Sequence, residues 1–158
     1  MHKFITIIIS IILICILAGC QNKKASEIIP TDDVITIEDE ILNKTLMLKI
    51  DNKEVDVTWL ENDSVNGLKQ ISKNGISIDL LMYGGNEQYG SLGKILPSKD
   101  VNQTSSPGDI MLYQSNKIVL FYGSNNWNYT KLGHINLSET ELTNLLGVKN
   151  VTITLELK

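Results

Sequence analysis

Pro107-Gly108-Asp109-Ile110-Met111-Leu112-Tyr113, then Gln114-Ser115-Asn116, then Lys117-Ile118-Val119-Leu120-Phe121-Tyr122 reads as two apolar strands joined by a short polar turn. Length, β-branched content and the turn residues all favour a hairpin over a buried helix. This is the most apolar segment of the folded region. Strand alternation puts Phe121 and Tyr122 on opposite faces, so at most one of them points into a central core.

The same signals extend to either side of this hairpin. Thr45-Leu46-Met47-Leu48-Lys49-Ile50 and Glu54-Val55-Asp56-Val57-Thr58-Trp59-Leu60 alternate with period two around Asp51-Asn52-Lys53, a second hairpin. A short helix follows, with Asn62 or Asp63 as cap, Val65, Leu68 and Ile71 as its buried stripe, and Gly75 closing it in the left-handed region. Ile76 to Tyr83 reads as a strand, Gly84 to Gly90 as a loop, Gly93 to Pro97 as an edge strand and Ser98 to Pro107 as a long polar connection. Tyr129 to Ile135 reads as a strand, Ser138 to Leu146 as a helix opened by a Ser138/Glu141 capping box, and Val151 to Leu157 as a last strand. The expected class is mainly β: a closed or nearly closed antiparallel β-barrel of about eight strands with two short capping helices.

The chain opens differently. Met1-His2-Lys3 leads into an apolar run from Phe4 to Leu17 and then Leu17-Ala18-Gly19-Cys20. A positive start, a short apolar core and small residues at its end form a secretory signal. The last four residues resemble the lipobox of bacterial lipoproteins. That resemblance implies cleavage between Gly19 and Cys20, a diacylglyceryl thioether on Cys20 and an extracytoplasmic, membrane-anchored protein. The alternative is an uncleaved anchor helix, which also keeps the chain at a membrane. The expected organisation is a signal peptide over 1–19, a lipidated and polar tether over 20–44, in which Val34 to Ile37 has strand character, and a barrel domain over 45–158.

Composition excludes several functions. Beyond the signal the chain keeps 13 of its 14 lysines and all 18 acidic residues, for a formal charge of −5. An acidic surface without a basic cluster speaks against nucleic acid. The 158 residues contain no arginine, so no guanidinium fork is present to hold a carboxylate or phosphate in bidentate fashion. Cys15 leaves with the signal and Cys20 carries lipid, leaving the domain without a disulfide, a thiolate nucleophile or a cysteine metal site. His134 is its single histidine. No metal or other cofactor is expected.

Pro107 to Tyr113, Ile118 to Tyr122 and Asn128-Tyr129-Thr130-Lys131-Leu132-Gly133-His134-Ile135 together resemble the signature of the small bacterial cyclophilin-like domain family. The resemblance covers roughly residues 45–158 and implies the cyclophilin barrel. True cyclophilins are prolyl isomerases that work through an arginine, and this chain has none. It also lacks their Phe-His-Arg and Gln-Gly-Gly elements, of which Tyr83-Gly84-Gly85 is a faint echo, and Lys131 would be a single mobile donor in place of a fork. The expectation is therefore a non-enzymatic module that binds a peptide, a protein or a small ligand, with membrane lipid as its partner through Cys20. A weak isomerase or another groove-based enzyme is the rival reading, and an accessory role in an envelope complex is the third.

Tyr83, Tyr89, Trp127 and Tyr129 are the candidate groove residues, because ring faces suit an extended peptide or an apolar ligand. Tyr113 and Phe121 are assigned to the core. His134 joins the groove candidates as the one imidazole, with no carboxylate at an obvious partner spacing. Asp109 reads as a turn carboxylate accepting backbone N–H bonds.

Overall fold

The computed structural model describes residues 37–158. The expected signal, Gly19, Cys20 and the first part of the tether lie outside the described residues, as does Val34 to Thr36. Ile37 opens a helix, not a strand. This helix, α1 (Ile37–Leu42), carries Glu38, Asp39 and Glu40 in its first turn, where they complement the positive end of the helix dipole. Lys69 Nζ donates to the carbonyl of Leu42 at 2.6 Å, so the end of the stretch read as tether joins the fold. Among the described residues no helix is long and apolar enough to cross a membrane.

The first hairpin is β1 (Leu46–Ile50) and β2 (Lys53–Val55). Asp51 and Asn52 turn it with φ of 47° and 67°, the double left-handed geometry that Asp and Asn tolerate best. A short β3 (Val57–Trp59) follows, then α2 (Asp63–Ile71), capped by the Asn62 side chain on Val65 N. Val65 and Leu68 are buried as the stripe requires. The helix ends at Ile71, with Ser72 as its cap, and Gly75 turns the chain just beyond it at φ 73°.

Four readings of the middle of the chain need correction. The strand expected over Ile76 to Tyr83 is two strands, β4 (Ile76–Asp79) and β5 (Leu81–Tyr83), parted at Leu80. The expected loop over Gly84 to Gly90 is a turn at Gly84-Gly85 followed by a strand, β6 (Glu87–Ser91). Gly90 hid this strand, since glycine lowers strand propensity. It is there because a Cβ would lie 2.6 Å from Leu80 Cδ2 and 2.7 Å from Ile78 Cγ2. Conversely, Gly93 to Pro97 forms no strand, and the polar connection contains β7 (Val101–Thr104).

The remaining elements follow the expected order: β8 (Asp109–Tyr113), β9 (Lys117–Phe121), β10 (Asn126–Ile135), α3 (Glu139–Leu146) with its Ser138/Glu141 capping box, and β11 (Thr152–Leu157). The described strands form two antiparallel sheets, one ordered β2-β1-β11-β4 and the other β3-β10-β8-β9-β6-β5, with β7 paired to β10. Among the described residues, eleven strands in two sheets with three helices thus stand where one closed or nearly closed barrel of about eight strands with two helices was expected. The count rises by two where strands switch sheets, as the chain passes from β2 to β3 at Asp56 and from β4 to β5 at Leu80, and by one more because β6 and β7 are gained while the expected Gly93 to Pro97 strand is lost.

The main core lies between the sheets. Leu48, Ile50, Leu68, Ile110, Leu112, Ile118, Leu120, Leu132, Ile153 and Leu155 are sealed from solvent, each contributing about 2 kcal/mol of burial. A second, smaller cluster of Met111, Val119, Phe121 and Tyr129 stands apart from it. Cross-strand partners share a face of a pleated sheet. The pairs Glu87↔Phe121, Tyr89↔Val119 and Met111↔Val119 therefore put this cluster on the outer face of the larger sheet. Phe121 points outward into it and Tyr122 joins the main core, as alternation required.

Candidate functional site

The outer face of the larger sheet carries a cavity of about 510 Å³ lined by Tyr83, Glu87, Tyr89, Tyr113, Lys117, Val119, Asn125, Trp127 and Tyr129. Four of the five candidate groove residues meet here: Tyr83 from β5, Tyr89 from β6, and Trp127 and Tyr129 from β10. Edge-to-face contacts hold the rings. Tyr83 packs on Tyr89 with centroids 6.0 Å apart, Tyr113 on Tyr129 at 5.9 Å and Phe121 on Tyr129 at 5.6 Å. Trp127 is 55 % exposed and forms an open wall.

Tyr113, assigned above to the core, is only partly buried and lines the cavity, whereas Phe121 is fully buried beneath it. Glu87, Lys117 and Asn125 complete the polar lining. Glu87 is not evident from the sequence, where the glycines of Gly84 to Gly90 signal a loop and hide β6. Once β6 is recognised, the spacing of Glu87 and Tyr89 places both on one face.

Glu87 is buried, 7 % exposed, and its Oε2 accepts one long hydrogen bond, from Asn125 Nδ2 at 3.4 Å. Burial pushes its carboxyl above the ordinary value, and the Asn125 bond opposes the shift in part. The Tyr129 hydroxyl is pushed up to about 12, by burial first and then by the nearby Glu87 charge, so it stays neutral. Tyr122 is raised for the same two reasons. Asn125 is itself fixed: its N–H donates to Ser105 Oγ at 2.9 Å, its carbonyl accepts from Ser105 N at 2.8 Å, and its side chain also donates to Tyr129 Oη at 3.2 Å. Lys117 Nζ donates to Gln114 Oε1 at 2.7 Å and stands 5.4 Å from the centre of the Tyr113 ring.

His134 does not belong to this groove. Its Nδ1 lies 3.0 Å from Asp109 Oδ1, which also takes Lys131 Nζ at 2.7 Å, so the imidazole has the carboxylate partner that sequence spacing concealed. The expected turn role of Asp109 is present too, since Oδ2 accepts Ser106 N–H at 3.0 Å. Burial pushes the Asp109 carboxyl up, but Lys131, His134 and Ser106 together outweigh it and hold the group below the ordinary range. Gly108, at φ 92°, admits the ring: a Cβ there would lie 2.7 Å from His134 Cε1. Among the described residues no serine or threonine hydroxyl bonds to His134, and no cluster of three metal-binding side chains occurs.

The model of the cyclophilin-like family matches residues 48–156, from within β1 to within β11. The chain belongs to the cyclophilin-like family. The match spans both sheets, so the groove is a feature of the cyclophilin-like domain itself. Neither a curated protein nor a solved structure matches the chain.

Proposed function

We propose that this chain is a membrane-anchored bacterial lipoprotein whose cyclophilin-like domain is a binding module without prolyl isomerase chemistry. The anchor is the thioether on Cys20 after cleavage behind Gly19, and the two sheet-switching strands support reading the domain as a flattened barrel. The aromatic cavity on the outer face of the larger sheet carries the proposal: a peptide segment or small ligand is held there against the rings of Tyr83, Tyr89, Trp127 and Tyr129. The absence of arginine argues against the isomerase chemistry of true cyclophilins.

The test is a titration of the purified chain with extended peptides, followed by NMR of the aromatic side chains, beside a prolyl-isomerisation assay. Shifts confined to the groove, with isomerisation no faster than in buffer, are expected. Acceleration that vanishes when groove residues are replaced would establish the enzyme reading instead. Replacing Cys20 with Ser should release the protein from membranes, and continued binding would refute the lipid anchor.

A further inference from the structure

We propose that the groove selects an alkylammonium group, the positive head of a small organic amine or of a lysine side chain, with Glu87 as its counter-ion and the surrounding rings as its cage. This rests on the groove being a binding site, as argued above, and names the chemistry it prefers.

Glu87 is the decisive residue. A carboxylate taken from water loses solvation that strong donors or a paired positive charge restore. Among the described residues Glu87 has one, the Asn125 amide at 3.4 Å, which is neutral and long. Among the described residues no cation is paired with it, and the hydroxyls of Tyr122 and Tyr129 beside it stay neutral. The site thus keeps a poorly compensated acid at the wall of an open cavity, where an incoming N–H or N⁺ group would supply what is missing.

The walls favour the same charge. Aromatic faces are electron-rich and attract a cation lying within about 6 Å of a ring centre. Lys117 already stands 5.4 Å from the Tyr113 ring, an internal instance of the contact proposed for the ligand. An anionic ligand would meet the Glu87 carboxylate and the ring faces. Among the described residues Lys117 is the one cation lining the cavity, and its Nζ donates to Gln114 Oε1. A purely apolar ligand would strip Glu87 of its remaining access to water.

The experiment titrates the full chain, in non-ionic detergent, with choline and with its neutral isostere in which carbon replaces the quaternary nitrogen, reading Trp127 fluorescence and aromatic NMR shifts. Choline should bind at least about tenfold more tightly than the isostere. Glu87→Gln should lower choline affinity by about tenfold and leave the isostere unchanged. Trp127→Ala, at an exposed position, should weaken it by about threefold. Butylammonium and a lysine peptide acetylated only at its N-terminus, which keeps the side-chain ammonium, form the second arm: tighter binding of these than of choline assigns the ligand to a lysine side chain, and the reverse assigns it to a small quaternary amine. Equal binding of choline and isostere, abolished by Trp127→Ala, would overturn charge selection while leaving the groove a binding site. Failure of every ammonium probe to bind at millimolar concentration would also overturn it. The choline comparison is made on the unmutated protein, so it stands even where Glu87→Gln fails to fold.

Discussion

Glu87 and Gln88 are neighbours in β6 and face opposite ways. Gln88 points inward, fully buried, and its amide is saturated: Nε2 donates to the carbonyls of Leu146 and Lys149, and Oε1 accepts Val151 N–H at 3.1 Å. It stitches the end of α3 and the start of β11 to the larger sheet. Glu87 points outward with a single long bond. The same depth of burial therefore accompanies two different uses. Gln88 has its partners within the chain, whereas Glu87 keeps part of its hydrogen-bonding capacity unused, as the proposed binding role requires.

The sharpest way to break this contrast is Gln88→Leu. Three backbone groups lose their partner, two of them in fully buried bonds and one in a part-buried bond, so destabilisation of about 3 kcal/mol is expected in denaturant unfolding. A loss under about 1 kcal/mol would mean that the amide is dispensable, and the comparison with Glu87 would fail.

Asp109→Asn comes next. Asp109 is the outer-face carboxylate that the chain does satisfy, and removing its charge weakens the bonds from Lys131 and His134 while sparing much of the one from Ser106. A loss of about 2 kcal/mol at neutral pH is expected. Because the folded-state value of Asp109 lies below the ordinary one, its contribution is present above about pH 4 and is lost as pH falls through the folded value. The variant should lack that part of the acid-side decline. An unchanged acid limb in its stability profile would refute the assignment.

Glu87→Gln should have the smallest effect on stability and the opposite pH dependence. The Glu87 value is raised, so the native state holds the proton more tightly than the unfolded chain does. Stability from this group is present below about pH 4 and declines as pH rises through the raised value. The variant should be as stable as the parent or more so by about 1 kcal/mol or less at neutral pH, with that decline removed. Marked destabilisation at neutral pH would show that the carboxylate already has a strong partner.

Much of this architecture was legible in the chain because it rests on local chemistry. The Asp51-Asn52 turn, the Asn62 cap, the Ser138/Glu141 capping box and the apolar alternation of β8 and β9 each involve residues a few positions apart, whose conformations follow from their own sterics and hydrogen bonds. The four ring residues were legible as a class, since aromatic side chains at strand ends suit a groove. The errors lie where a distant contact overrides a local preference. Gly90 weakens a strand in isolation, yet it is required where Leu80 and Ile78 pass close above it. Val101 to Thr104 carries no strong pattern of its own, and its strand exists because the first half of β10 supplies the hydrogen bonds.

The sequence by itself determined that this is an antiparallel β chain with capped short helices, free of arginine, with a single histidine beyond its second residue and a lipobox-like opening. These follow from composition and short-range spacing. Only the tertiary structure decided that His134 meets Asp109, that Tyr113 belongs to the groove, and that Glu87 sits buried among rings with one weak donor. Burial and partnership belong to neighbours brought together across β5, β6, β9, β8 and β10, and separation along the chain does not encode them.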